Sequence, residues 1–196
     1  MNKTERKFLF KRMKRIPHNG VVVEVGSFFG DSSSRMFCEG IKKYKNNAVL
    51  HCVDTFNDDF FTSKTQTADF MKKFNRITRG RRVIEVFFEN MQPYEYKLIR
   101  EDSVDASMGF EDESIDLVFI DGDHTKEAVF RDISAWYPKV KYGGVICGHD
   151  YGKKQFGVTE VVDSFFKKID RVVSSIWYVK KLEGIVDGTV KEIRKA

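Results

Sequence analysis

Five apolar runs rich in β-branched residues punctuate this chain: VVVEVG (21–26), AVLHCVDTF (48–56), YKLIRED (96–102), SIDLVFIDGDH (114–124) and VKYGGVICGHDY (140–151). Strands with one wet face alternate apolar and polar residues; near-continuous apolar strands are covered on both faces, as in a parallel sheet. Helical spacing fills the gaps. Asp31 or Ser32 can cap a helix carrying Met36, Phe37, Ile41 and Tyr44. Val129, Ile133 and Trp136 form one stripe after His124, and Val158, Val161, Val162, Phe165 and Phe166 form another. This order predicts a doubly wound, mostly parallel α/β sheet. RVVSSIWYVKK (171–181) breaks the alternation and reads as an antiparallel strand, with Asp187-Gly188 able to turn a further hairpin.

At 196 residues the chain predicts a single domain spanning 1–196, with no repeat or linker to divide it. The stretch 57–93 is too long for a simple crossover; its position suggests a lid over the strand ends, and 182–196 reads as a tail. Within it Phe70, Phe74 and Ile77 suggest one helix, while RVIEVFFENM (82–91) fits helix or strand. Residues 1–17 carry seven basic side chains between Lys3 and Arg15, with Leu9, Met13 and Ile16 at helical spacing, Asn2 and Glu5 placed for a capping box and Pro17 as a stop. A transit peptide or an RNA-binding arm would use the charge. Because core strand material starts at Val21, the expectation is a solvated helix packed on the first strand. Cys38, Cys52 and Cys147 fall in no metal-like spacing and read as reduced core thiols, which points to a cytoplasmic protein. No apolar run is long enough for a membrane helix. The net charge of +5 permits an anionic partner without demanding one.

Ligands of open α/β sheets lie outside the carboxyl ends of the strands. Those ends carry Gly26-Ser27, Asp54-Thr55, Asp102-Ser103, Asp121-Gly122-Asp123-His124 and His149-Asp150. A polar group at every end exceeds what turn capping requires, so a site is expected there. The Gly26–Gly30 turn can bring backbone N–H groups and a helix N-terminus to an anionic group. Asp54 can hold a ribose diol, and Ser103 or Asp102 an adenine edge, roles shared by NAD and S-adenosylmethionine. The usual dinucleotide turn has a middle glycine where this chain has Phe28, which argues against a pyrophosphate.

The series E-V-G-S-F-F-G-D-S (Glu24, Gly26, Ser27, Gly30, Ser32), HCVDTF, REDS, FIDGDH and GHDY resembles the class I S-adenosylmethionine-dependent methyltransferases. The likeness is to the branch of catechol O-methyltransferase and small O-methyltransferases of sugars and natural products, over residues 20–181. It implies a seven-stranded Rossmann-like sheet and S-adenosylmethionine as cofactor. Gly26, Ser27, Gly30 and Ser32 would hold the methionine moiety with Glu24 nearby, Asp54 the ribose, Asp102 and Ser103 the adenine, and Asp121 would adjoin the cofactor. The branch also binds Mg²⁺ at acids ending strands four and five, for which Asp121, His149 and Asp150 are the matching candidates. The histidine, standing where the branch has aspartate, admits Mn²⁺, Fe²⁺ or Zn²⁺ as well. The branch's lysine three residues after the strand-four aspartate is His124 here. His124, with Asp121, is therefore the candidate catalytic pair, His124 accepting a hydroxyl proton. Asp123, His124 and Thr125 also suit a helix cap, and His149 a hydrogen-bonded turn. His51 reads as a satisfied core histidine and His18 as loop.

The partner expected is a small hydroxylated acceptor, with nucleic acid disfavoured by the acidic strand ends, no membrane, and a homodimer admitted. Two other readings compete. Asp121-Gly122-Asp123 matches the D-x-D of Mn²⁺-dependent glycosyltransferases but leaves the glycine turn and Asp54 unused. A non-enzymatic nucleic-acid-binding domain with this fold would use the basic N-terminal helix.

Overall fold

The computed structural model describes residues 1–59 and 67–182. Its strands are β1 (Val21–Val25), β2 (Val49–Val53), β3 (Lys97–Ile99), β4 (Ile115–Ile120), β5 (Val140–Gly148), β6 (Arg171–Val173) and β7 (Ile176–Lys180). They form one seven-stranded sheet in the order β3-β2-β1-β4-β5-β7-β6. The first five run parallel; β7 pairs antiparallel with β5 and β6. The 171–181 run is thus two strands hinged at Ser174-Ser175 rather than one. The Asp187-Gly188 hairpin falls outside the described residues.

Both faces of the sheet are apolar because successive residues point to opposite sides. Val22, Leu50, Leu117, Phe119 and Cys147 build one core; Val23, Val53, Val118, Ile120 and Ile146 build the other. The first is covered by α1 (Lys3–Arg12), α2 (Ser33–Tyr44) and the pair α3 (Ala68–Thr78) and α4 (Val83–Met91). The second is covered by α5 (Ser103–Ser107), α6 (Lys126–Trp136) and α7 (Val158–Phe165). Phe37 of α2 meets Phe119 edge-on at 5.7 Å; burying such a ring contributes about 2–3 kcal/mol. All three cysteines are buried and unpaired, as the sequence suggests.

The 82–91 run resolves as helix. Val83, Val86, Phe87 and Met91 recur at helical spacing and are buried, which an alternating strand could not achieve. Phe87 and Met91 crowd Gly30, and Asn90 Nδ2 donates to Phe29 O at 2.9 Å, so α4 supports the glycine turn from within the core. The Asn2–Glu5 capping box of α1 is present, and Leu9 and Met13 are buried. Their main support is α2, with α1 also touching β6, rather than the first strand: Gly40 leaves room for Met13 to sit against α2.

Candidate active site

The strand order reverses between β1 and β4, where the chain goes outward on one side through β2 and β3 and on the other through β5. Such a switch point opens a crevice at the carboxyl ends. Asp121 N donates to Val25 O at 2.8 Å, so β1 and β4 end side by side. Gly26, at φ +87°, lies so close that a Cβ there would meet Asp121 O at 2.3 Å. Only glycine fits, and the glycine turn abuts the strand-four aspartate directly.

Asp54 staples this turn to β2. Its Oδ2 accepts Phe28 N at 2.9 Å and its Oδ1 accepts Phe56 N at 2.7 Å. Burial pushes its pKa up, against the pull of these N–H groups. Ser27 N–H adds a third donor, and a carboxylate with about four lone-pair sites still has one for a ribose hydroxyl. Phe28 adopts φ +48°, the left-handed conformation a glycine would hold freely, and its ring lies tilted against Phe29, centroids 3.8 Å apart. Glu24 is fully buried beneath the turn and bonded by Ser27 Oγ at 2.9 Å and by Ser34 Oγ. Burial raises its pKa to about 7, its serine donors opposing. Glu24 therefore ties the turn to α2 from inside the fold. Ser32 occupies the N-cap of α2, but its side chain makes no cap hydrogen bond, so α2 begins without a side-chain cap at the turn.

Ser103 departs from its expected role. Its Oγ accepts Trp136 Nε1 at 2.9 Å and also bonds Asp132, which ties α5 to α6 and leaves no side-chain donor for an adenine edge. Asp102 caps α5 through Val104 N at 2.9 Å and is exposed. His51 is buried against Phe110; burial lowers its pKa, opposed by the backbone of Val22 and Val49, and its Nδ1 has no partner with hydrogen-bond alignment. It borders an open hollow of about 530 Å³ beside β3 that contains none of the acidic strand-end residues of β4 and β5.

At the ends of β4 and β5 the chemistry converges. Asp123 Oδ1 accepts Thr125 N at 2.9 Å and Thr125 Oγ1 accepts Ala128 N at 3.3 Å. Thr125 caps α6 and Asp123 holds the N–H of that cap residue, so His124 is not needed for capping. His124 stacks on Phe156 at 4.5 Å and turns Nε2 to within 2.9 Å of Asp150 Oδ2 and 3.5 Å of Asp121 Oδ1. That nitrogen is buried and has no partner with hydrogen-bond alignment. Asp150 holds φ +60°, a conformation aspartate tolerates better than most residues, and this bends the chain to bring its carboxylate inward. Burial lowers the pKa of His124, but the two carboxylates win and raise it to about 9. Burial likewise opposes the depression of Asp150, which the two histidines hold well below the carboxylate range.

One ligand atom from each of Asp121, His124 and Asp150 can lie within 4.8 Å of the others. Two carboxylates and a buried imidazole nitrogen held close to both without hydrogen-bond alignment fit a divalent cation of the Mn²⁺, Fe²⁺ or Zn²⁺ kind as well as Mg²⁺. The sequence placed His149 in this set; the structure turns its Nε2 to Ser175 Oγ at 3.1 Å and Glu5 Oε2 at 3.4 Å, and puts His124 among the donors. Nδ1 of His149 stays at the edge of the cluster, 3.2 Å from Asp150 Oδ1 and 3.5 Å from Asp121 Oδ1. Glu5 and Ser175 are the residues sequence reasoning missed. Glu5 was legible only as a helix cap, and nothing local marks Ser175.

A family profile described as "Methyltransferase domain" matches residues 23–151, more than half of the chain. The chain belongs to this methyltransferase family. Its members draw the methyl group from S-adenosylmethionine, and this protein is an S-adenosylmethionine-dependent methyltransferase. Among solved structures it is similar to the O-methyltransferase NovP (15% identity, 92% of this chain and 80% of that one, TM-score 0.68). It is similar also to CalS11, a TDP-rhamnose 3'-O-methyltransferase of calicheamicin biosynthesis (14%, 92% and 78%, 0.60). A further likeness is to a putative rRNA methylase from Clostridium thermocellum (13%, 93% and 100%, 0.60). At these identities the likeness is one of fold. No curated protein sequence matches the chain.

Proposed function

We propose that this methyltransferase is an O-methyltransferase of the catechol-like branch, acting on a small hydroxylated acceptor with a divalent cation at Asp121, His124 and Asp150. The observation that carries the reading is the convergence of these three side chains directly beside the Gly26 turn. S-adenosylmethionine, when bound, supplies an electrophilic methyl group, and the cation, when bound, lowers the pKa of a ligated hydroxyl. The chain's own residues supply the rest. The uncapped start of α2 and the Ser32 hydroxyl suit the methionine carboxylate. Asp54 suits the ribose. Asp121, placed between turn and cluster, orients the acceptor oxygen toward the donor's methyl group. With Nε2 turned to the two carboxylates, His124 suits a ligand rather than the base that the sequence suggested, because one nitrogen cannot do both. His149 Nδ1 is then the nitrogen left at the cluster to hold the acceptor's proton. The acidic strand ends disfavour a phosphate backbone at the acceptor position.

The deciding experiment is a melting-temperature comparison with S-adenosylhomocysteine and NAD at millimolar concentration, followed by methyl transfer to hydroxylated acceptors with and without chelator. A rise with S-adenosylhomocysteine alone and turnover abolished by chelator support the reading. Undiminished turnover in chelator removes the cation from it.

A further inference from the structure

Helix α1 reaches the site through one side chain. Glu5 is 3% exposed, and its carboxylate gathers donors from two distant parts of the chain. Oε2 accepts Asn2 N at 2.6 Å; Oε1 accepts Ser175 N at 3.1 Å and Ser175 Oγ at 2.7 Å. A helix cap needs only the first of these, and it works equally well on the surface. The Ser175 hydroxyl proton is committed to Glu5, so its oxygen offers only lone pairs to His149 Nε2, 3.1 Å away. Nε2 must then carry the proton and donate it, an assignment made by the network rather than by the ring itself. With Nε2 so held, Nδ1 is the nitrogen presented to Asp150 and Asp121.

We infer that Glu5 is a positioning residue: through Ser175 it fixes the His149 ring and its Nε2 proton, so that Nδ1 faces Asp121 and Asp150. Docking of α1 on the β6–β7 turn therefore completes the site. Glu5 and Ser175 both lie outside residues 23–151, the span that matches the family profile. Groups that orient a site residue are worth typically ten- to a hundredfold in activity. The orientation of His149 is independent of the proposed function; its consequence for catalysis rests on that reading.

The test uses the full chain labelled with ¹⁵N-histidine, the His149 signal being assigned by its loss in His149→Gln. A solvent-protected Nε2–H signal is expected in the wild type. It should persist in Asn2→Ala, which breaks the α1 cap but leaves the Glu5 contacts, and vanish in Glu5→Ala. Glu5→Gln, keeping one acceptor oxygen, should restore it in part. Methyl transfer in the presence of Mn²⁺ should fall about tenfold or more in Glu5→Ala, with S-adenosylhomocysteine affinity within about twofold of wild type. A protected signal in Glu5→Ala, or equal loss in Asn2→Ala, overturns the inference. Should Glu5→Ala fail to fold, Ser175→Ala breaks the relay with α1 and its cap intact, and a protected signal there overturns it equally. Failure of the wild type to bind Mn²⁺ sinks the cation reading alone, since the imidazole signal still decides the role of Glu5.

Discussion

His124 Nε2 stands 2.9 Å from Asp150 Oδ2, although the two residues leave different strands of the sheet. The contact exists because Thr125 and Asp123 cap α6 and free His124, while the left-handed backbone of Asp150 folds its carboxylate back.

Asp150→Asn keeps the left-handed backbone, which asparagine also tolerates, and removes one charge from the cluster. Methyl transfer should fall by about a hundredfold or more, in line with loss of a cation ligand, while S-adenosylhomocysteine still raises the melting temperature. Calorimetric titration beside a turnover assay separates the two. Loss of cofactor binding would place Asp150 elsewhere in the mechanism.

The ion-free cluster makes stability depend on pH. His124 and His149 have folded pKa values raised to about 9 and about 10, despite burial, by Asp121 and Asp150. Their contribution is fully present below the unfolded histidine value of about 6.5 and is lost as pH rises through 9–10. The depressed Asp150 adds stability above its unfolded value, lost on acidification. Melting temperature in chelator should therefore fall from pH 7 to pH 10, and His149→Gln should flatten that limb. Saturating Mn²⁺ should flatten it too, since a bound cation replaces the protons.

Glu24 works in the opposite sense. Its pKa, raised by burial to about 7, means that the folded state holds a proton the unfolded state has lost between about pH 4.5 and 7. Stability therefore declines across that window as pH rises. Glu24→Gln should be near neutral at pH 5 and more stable than wild type at pH 8, by on the order of 1–3 kcal/mol in denaturant unfolding. An equal effect at both pH values would contradict a protonated Glu24.

Phe28→Gly removes the left-handed strain of a side chain, about 1–2 kcal/mol. It also removes a ring packed against Phe29 and Phe74, about 2–3 kcal/mol of burial and aromatic contact, and adds glycine's own entropy cost. Packing wins, so the variant should be less stable by about 1–3 kcal/mol. A stabilised variant would mean the ring contributes little to the turn.

Ser103→Ala separates a structural hydroxyl from a cofactor contact. It leaves Trp136 Nε1 and Asp132 short of a partner, which should cost about 1–3 kcal/mol of stability. Affinity for S-adenosylhomocysteine should be unchanged by isothermal titration. A tenfold loss would restore Ser103 to the adenine site.

The strands were legible because burial on both faces leaves a direct imprint, a run of apolar residues in each of β1, β2, β4 and β5. The polar ends were legible for the same reason: Asp54, Asp121 and Asp150 interrupt those runs where the sheet stops. RVIEVFFENM was ambiguous because its apolar residues fit either period until Phe87 and Met91 meet Gly30. The Ser103 contact with Trp136 was not legible, because a serine beside a strand end looks alike whether it faces a ligand or a tryptophan.

By itself, then, the sequence determined the alternating β and α order, the glycine turn and the carboxylates at the strand ends, since these are set by periodicity and local backbone preference. Only the tertiary structure decided that His124 joins His149 beside Asp121 and Asp150, and that Glu5 stands behind His149. Rotamer, strand register and the docking of α1 against the turn before β7 are contacts between residues far apart in the chain, and no local pattern encodes the distance between Glu5 and Ser175.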